Sequence, residues 1–368
     1  MSTMLEAPPT MKDPRTLTWP AFHAMSPREK GKYVLTPGGK LQAVLYSQQF
    51  DRSLLDHVFA LAEHVRRAWH SEDARAYIKT LLATRSVALY FTQPSTRTFT
   101  SFSLAARAVG MMCEEIRDPE MSSAYKGESE IDTLLTLAEL ADAVVMRQKD
   151  PALIERFAYE VIHRGLPTRI LNGGSGADQH PTQALLDLYT LVSHFDLANT
   201  AGGSFTVAMV GDLRRSRTAH SLCYLLALYP RIRQVFIAPD ELQMGEDLTA
   251  YLDEHSARYE RTSAMDRNLP HIDAIYMMRM QDEYGTTSEE TRRRYDDFRL
   301  TTERVAVMKP DACILHPLPR RAELPIEVDA DPRARYWEAV NRGKFIRIAL
   351  FLHMFGKDDI TRIEERAY

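Results

Sequence analysis

The sequence predicts an α/β protein of two domains, each a mainly parallel sheet flanked by helices. Three observations carry that expectation. At 368 residues the chain is long for a single hydrophobic core. Short apolar runs alternate with segments of helical periodicity along most of it, the pattern of parallel sheets whose ligands gather at the carboxyl ends of the strands. In mid-chain, Asn199-Thr200-Ala201-Gly202-Gly203-Ser204 concentrates small and turn-forming residues, and the alternation then starts again.

Taken in order, residues 1–40 read as an irregular leader, with Pro8, Pro9, Pro14, Pro20, Pro27 and Pro37 and no apolar core of a signal peptide. The first domain, 41–198, opens with helical patterns at Ser53–Ala62 and Ala74–Leu82. It continues as strand Ser86–Phe91, loop Thr92–Thr98 and helix Ser103–Ala108. Ala143–Met146 reads as strand, Ala152–Val161 as helix, and Thr168–Asn172 as strand. The glycine-rich turn Gly173-Gly174-Ser175-Gly176 then leads into a helix over Thr182–Val192.

The second domain, 204–335, repeats the scheme with strand Phe205–Val210, a helix from Ala219, and strands at Val235–Ala238, Ile272–Met277 and Ala312–Leu315. Residues 336–368 form a C-terminal helical segment around Phe345–Phe355, expected to pack back toward the first domain.

Composition narrows the function. A net charge of −4 gives no reason to expect nucleic acid as the main partner, so any anion-binding cations must be local. No apolar run reaches about 18 residues, which argues against a membrane span. Cys113, Cys223 and Cys313 are few, odd in number and widely spaced, without the spacing of a zinc site, which fits a reducing, cytoplasmic setting. Val210-Gly211-Asp212 lacks the phosphate turn of a dinucleotide-binding oxidoreductase.

The chemistry-bearing residues fall at predicted strand ends. Ser95-Thr96-Arg97-Thr98 lies between strand and helix, where backbone N–H groups and the helix dipole favour an anion. His180 and Gln183 are three apart, so one helical turn presents both to the same side. Arg147, Arg217, and Arg279 with Gln281 each follow a predicted strand. On spacing alone the first run could equally be a hydroxyl-rich cap, and any one arginine a solvated charge. Four arginines at strand ends imply an anionic substrate, or two.

Phe91–Phe102, Lys126-Gly127-Glu128, Val145-Met146-Arg147, His180–Tyr189, Gly211-Asp212 with Arg217–Leu222, Arg279-Met280-Gln281 and His316-Pro317-Leu318-Pro319-Arg320 stand in order along the chain. Over about residues 45–350 this series resembles the aspartate/ornithine carbamoyltransferases. Arg279-Met280-Gln281 and His316–Pro319 side with the aspartate branch.

The resemblance implies that Ser95, Thr96, Arg97 and Thr98 bind the phosphate of carbamoyl phosphate, with Arg147, His180, Gln183 and Leu318 around its carbamoyl group. Thr98, Arg147 and His180 would be the catalytic polarising residues. Arg217, Arg279 and Gln281 would hold an anionic amino acid, L-aspartate, for direct attack of its amine in pyrimidine synthesis. Ser122 and Lys126 would lie on a loop that enters a neighbouring subunit's site, making a homotrimer the working unit, with no cofactor and no metal. A regulatory chain is left open by the resemblance.

Some positions depart from the family pattern. Gln93 stands where a glutamate is common and Tyr284 where its arginine partner is expected, so both members of one ion pair are replaced together. Asn341-Arg342 is closer to the ornithine branch, and the leader and Thr286–Leu300 exceed the minimal core. These keep two alternatives in view: another acceptor, such as a diamino acid, or a non-catalytic paralogue.

Overall fold

A computed structural model describes residues 16–117, 128–176, 178–197, 203–281 and 287–365. Ten strands form two five-stranded parallel sheets. The strands are β1 (Ala43–Val44), β2 (Ser86–Phe91), β3 (Met112–Ile116), β4 (Ala143–Gln148), β5 (Arg169–Ser175), β6 (Phe205–Val210), β7 (Ile232–Ile237), β8 (Arg258–Thr262), β9 (Ala274–Met277) and β10 (Cys313–Leu315). The first sheet has the order β1-β5-β4-β2-β3 and the second β10-β9-β6-β7-β8. Their central strands are buried along nearly their whole length, as expected when helices cover both faces.

The helix Tyr336–Met354 crosses back from the second sheet and packs on the helices Arg52–Ala68, Thr96–Ala108 and Pro181–His194 of the first. The predicted fold class is the observed one. The expected mid-chain boundary lies mostly at residues 198–202, outside the described residues.

Several elements differ from expectation. β3 and β8 went unpredicted because both are edge strands of mixed, partly exposed sequence, Met-Cys-Glu-Glu-Ile and Arg-Tyr-Glu-Arg-Thr. Such edges carry charge rather than an apolar run. Gly173 and Gly174, read as turn, continue β5 to Ser175.

The leader is not irregular over its described part. Trp19–His23 and Pro27–Tyr33 are helices, the second closed by a reciprocal cap between Ser26 and Glu29. Glu155, on the helix Pro151–His163, anchors them: the Lys30 ammonium lies 2.7 Å from one carboxylate oxygen, which the Tyr46 hydroxyl also engages, and the His23 imidazole lies 2.9 Å from the other. Tyr159 donates to the Leu17 carbonyl at 2.9 Å.

A second anchor joins both ends of the core. Asp358 Oδ2 lies 2.7 Å from Lys40 Nζ and 2.8 Å from nitrogens of both His57 and His353.

Lys30 is only 4% exposed, so removing its charge leaves Glu155 half-satisfied in a dry setting. Lys30→Ala is expected to cost about 3 kcal/mol in urea unfolding and to open residues 16–33 to limited proteolysis. An unchanged midpoint and cleavage pattern would show that the leader docks by other means.

Candidate active site

A cavity of about 500 Å³ opens where the carboxyl ends of the two sheets meet. One wall begins where β2 ends. The backbone N–H groups of Thr92 and Gln93 both donate to the Arg147 carbonyl, at 3.0 and 3.4 Å, and this lashes the loop to the end of β4. Ser95 then starts the helix Thr96–Ala108 without spending its hydroxyl on a cap. The first-turn N–H groups have no acceptor within the helix and meet the cavity at its positive end.

Arg147 projects from the end of β4, its Nη1 donating to the Gly173 carbonyl at 3.1 Å. Gly174, at φ +116, gives it room: a Cβ there would stand 2.7 Å from Arg147 Nη1 and 3.3 Å from the His180 ring. His180 precedes Pro181 at the head of the next helix. Its backbone N–H donates to Ser221 Oγ at 3.0 Å, and its Nε2 lies 3.2 Å from Thr98 Oγ1.

Burial, with the charges of Arg147, Arg217 and Arg347 added, holds the His180 pKa well below the usual imidazole range. The ring is therefore neutral at physiological pH and can donate one hydrogen bond to a carbonyl oxygen. Gln183 is oriented by Asp187, to whose Oδ2 it donates at 3.0 Å. That oxygen also accepts from the Tyr276 hydroxyl at 2.6 Å, and burial pushes the Asp187 carboxyl up to about 7.

The facing wall comes from the second sheet. Arg217 starts the helix Arg217–Leu226, capped by Ser216, and donates to the Gly176 carbonyl across the cavity's floor. Arg279 and Gln281 follow β9. Asp212, itself paired with Arg215 at 2.7 Å, accepts from the Gln281 backbone N–H at 2.8 Å. Arg97 is exposed at the cavity's edge, yet desolvation of its guanidinium and, second, the facing Arg279 charge lower its pKa. Both cations line the cavity, where their charges favour an anion.

Every sequence-predicted site residue among the described ones lines this cavity: Ser95, Thr96, Arg97, Thr98, Arg147, His180, Gln183, Arg217, Arg279, Gln281 and Leu318. Leu318, at φ +54, is fixed by His316, whose Nδ1 accepts its N–H at 2.7 Å while Nε2 lies 2.9 Å from Glu323. Gln93 also lines the cavity. Ser122, Lys126 and Tyr284 lie outside the described residues.

Sequence reasoning missed two contributors. Tyr295, from the unexplained stretch, donates to the Met278 carbonyl at 2.6 Å and accepts from the Asp212 N–H at 3.1 Å, pinning the residues that precede Arg279. Arg347 reaches the cavity from the C-terminal helix. Its signal was a lone cation inside the apolar run Phe345–Phe355.

The arrangement offers cations, hydroxyls and a neutral imidazole around room for two anionic groups. In NMR titration, the His180 ring is expected to stay neutral down through pH 6.5. Because its folded pKa lies below the unfolded value, protonation at lower pH costs stability. A titration midpoint at or above 6.5 contradicts this electrostatic account.

Comparisons with known proteins agree with the geometry. Residues 42–193 match the family model described as the carbamoyl-P binding domain of aspartate/ornithine carbamoyltransferase, and 204–354 its Asp/Orn binding domain. The aspartate carbamoyltransferase catalytic subunit of Methanosarcina acetivorans is 33% identical over 317 residues, 86% of this chain and 98% of that one. The chain is 34% identical to the multifunctional protein CAD of Squalus acanthias over 86% of its own length, but spans 13% of that protein. The structure of aspartate transcarbamoylase from Trypanosoma cruzi in complex with carbamoyl phosphate and aspartate aligns with a TM-score of 0.73 at 32% identity, covering 84% of this chain and 95% of that one. With both halves matched in order, the chain belongs to the aspartate/ornithine carbamoyltransferase family.

Proposed function

We propose that the protein is an aspartate carbamoyltransferase, joining carbamoyl phosphate and L-aspartate into N-carbamoyl-L-aspartate and phosphate, a step of pyrimidine synthesis. The observation that carries this reading is one cavity with two cationic walls. Arg97, Thr98, Arg147 and His180 come from the first sheet's side, and Arg217, Arg279 and Gln281 from the second's. The Trypanosoma cruzi relative was solved with carbamoyl phosphate and aspartate, and with carbamoyl aspartate and phosphate.

In this reading residues 41–198 hold the donor and 204–335 the acceptor. The phosphate lies on Ser95, Thr96, Arg97 and Thr98 at the helix start. Thr98, Arg147 and the neutral His180 face the carbamoyl oxygen, with Gln183 and Leu318 beside the carbamoyl group. Arg217, Arg279 and Gln281 hold the two carboxylates and bring the amine to the carbonyl carbon. The C–N bond forms, negative charge moves to the oxygen, and the C–O bond to phosphate breaks; the amine proton leaves with phosphate. Donors set where the oxyanion develops contribute about 2.7–4 kcal/mol each, and holding both reactants contributes about 7–11 kcal/mol.

By the same resemblance Ser122 and Lys126 would enter a neighbouring subunit's site, in a homotrimer with shared sites. A cytoplasmic setting fits Cys113, Cys223 and Cys313, none of which is in a disulfide. No described helix is long and apolar enough to cross a membrane. Asn341-Arg342 does not favour a different acceptor: Asn341 is exposed, and Arg342 turns to Glu338 and Ser193 instead of lining the cavity.

Purified protein given carbamoyl phosphate and a panel of amino acids should form a ureido product with aspartate. Turnover of a diamino acid but not aspartate, or of none, would overturn the assignment. Arg97→Ala should lower turnover by about a hundredfold or more with the fold intact by circular dichroism; near-normal rates contradict its phosphate role. Tyr295→Phe should raise KM for aspartate several-fold and leave KM for carbamoyl phosphate alone. Equal changes in both would deny its placement in the acceptor half.

A further inference from the structure

Arg347 is 2% exposed, in the middle of the helix Tyr336–Met354. Its Nη1 donates to Ser101 Oγ at 2.9 Å and to the Gly343 carbonyl at 3.0 Å, and its Nη2 to Thr182 Oγ1 at 3.2 Å. Its guanidinium carbon stands 4.7 Å from the centre of the Phe102 ring. Its Nε is buried without a partner. All of these partners are neutral, and among the described residues no carboxylate is in contact with the guanidinium.

The acid that acts on it is Asp187. That carboxylate's Oδ2 is taken up by Tyr276 and Gln183 and does not touch the guanidinium, and burial raises its pKa. A guanidinium this deep is costly unless an anion meets it.

The surroundings are shaped for it. A Cβ at Gly343 would fall 2.8 Å from Arg347 Nη1 and 2.8 Å from Leu186 Cδ2, so a residue that weakens a helix interior makes the space. Ser101 lies one turn beyond Arg97 and Thr98 on their helix, and Thr182 lies two residues after His180. One side chain therefore ties together the two segments that form the donor wall, and it lines the same cavity.

We propose that Arg347 is a positioning residue of the donor half, a buried cation with no carboxylate in direct contact, whose charge is balanced by the phosphate of the bound substrate. This rests on the carbamoyl phosphate reading above. The ligand-free protein then carries a charge that Asp187 compensates only from a distance, and phosphate binding relieves it. Arg347 also adds to the field that keeps His180 neutral.

The test compares wild type, Arg347→Gln and Arg347→Lys by thermal unfolding in rising inorganic phosphate, with steady-state kinetics. Gln keeps hydrogen-bonding capacity without charge. It should leave the phosphate-free Tm no lower, shrink the phosphate-induced rise, and raise both phosphate Kd and KM for carbamoyl phosphate about tenfold, with KM for aspartate little changed. Lys keeps the charge though not the planar fork, and since the proposed role is one of charge it should hold phosphate within about threefold of wild type.

A purely structural arginine predicts the reverse: a lower Tm in Arg347→Gln with an undiminished phosphate response, which would overturn the proposal. Should Arg347→Gln not fold, Arg347→Lys decides, and a tenfold loss of phosphate affinity there overturns it. A wild type that responds to neither phosphate nor carbamoyl phosphate overturns the donor reading itself, and this inference with it.

Discussion

The constraint on which this structure turns is the gathering of five guanidinium groups, those of Arg97, Arg147, Arg217, Arg279 and Arg347, around one cavity. Burial first, and repulsion between like charges second, lower the pKa values of Arg97 and His180. The scaffold has to hold the cations in place against that repulsion. It does so with strand ends, helix starts and backbone carbonyls: Gly173 for Arg147, Gly176 for Arg217, and Met280 for Arg279. An anion entering the cavity therefore finds these donors already set.

Because the walls come from different sheets, the joint between them matters as much as either wall. The helices Pro181–His194 and Arg217–Leu226 pack side by side across it. Ser221 accepts from the His180 backbone and donates to Gln179, whose Oε1 also accepts from the Ser47 N–H. Tyr276 reaches from β9 to Asp187. Most of these partners are buried, so sliding one half over the other would strand polar groups, and the two walls keep their register.

Much of the site was legible because parallel sheets put function at predictable places. Arg97, Arg147 and His180 each follow an apolar run at the point where a strand must end, so pattern and chemistry coincide. The fold class followed from the same runs. What stayed hidden has physical causes. β3 and β8 are edges without an apolar face. The leader's helices are short and marginal alone, and they stand through Lys30 meeting Glu155, a partner 125 residues away. Tyr295 acts through a hydroxyl on a distant backbone, a role without a local pattern, and Arg347 shows in the sequence only as a lone cation in an apolar run.

The Lys40–Asp358 contact has a different consequence. It brings together Lys40 and Asp358, which flank the family-matched stretch 42–354, with His57 and His353 clamped to the same carboxylate. A unit whose entrance and exit adjoin can be spliced into a longer polypeptide without stretching either junction. That closeness makes the fold portable, and it suits relatives such as CAD, in which the matching region is 13% of the whole.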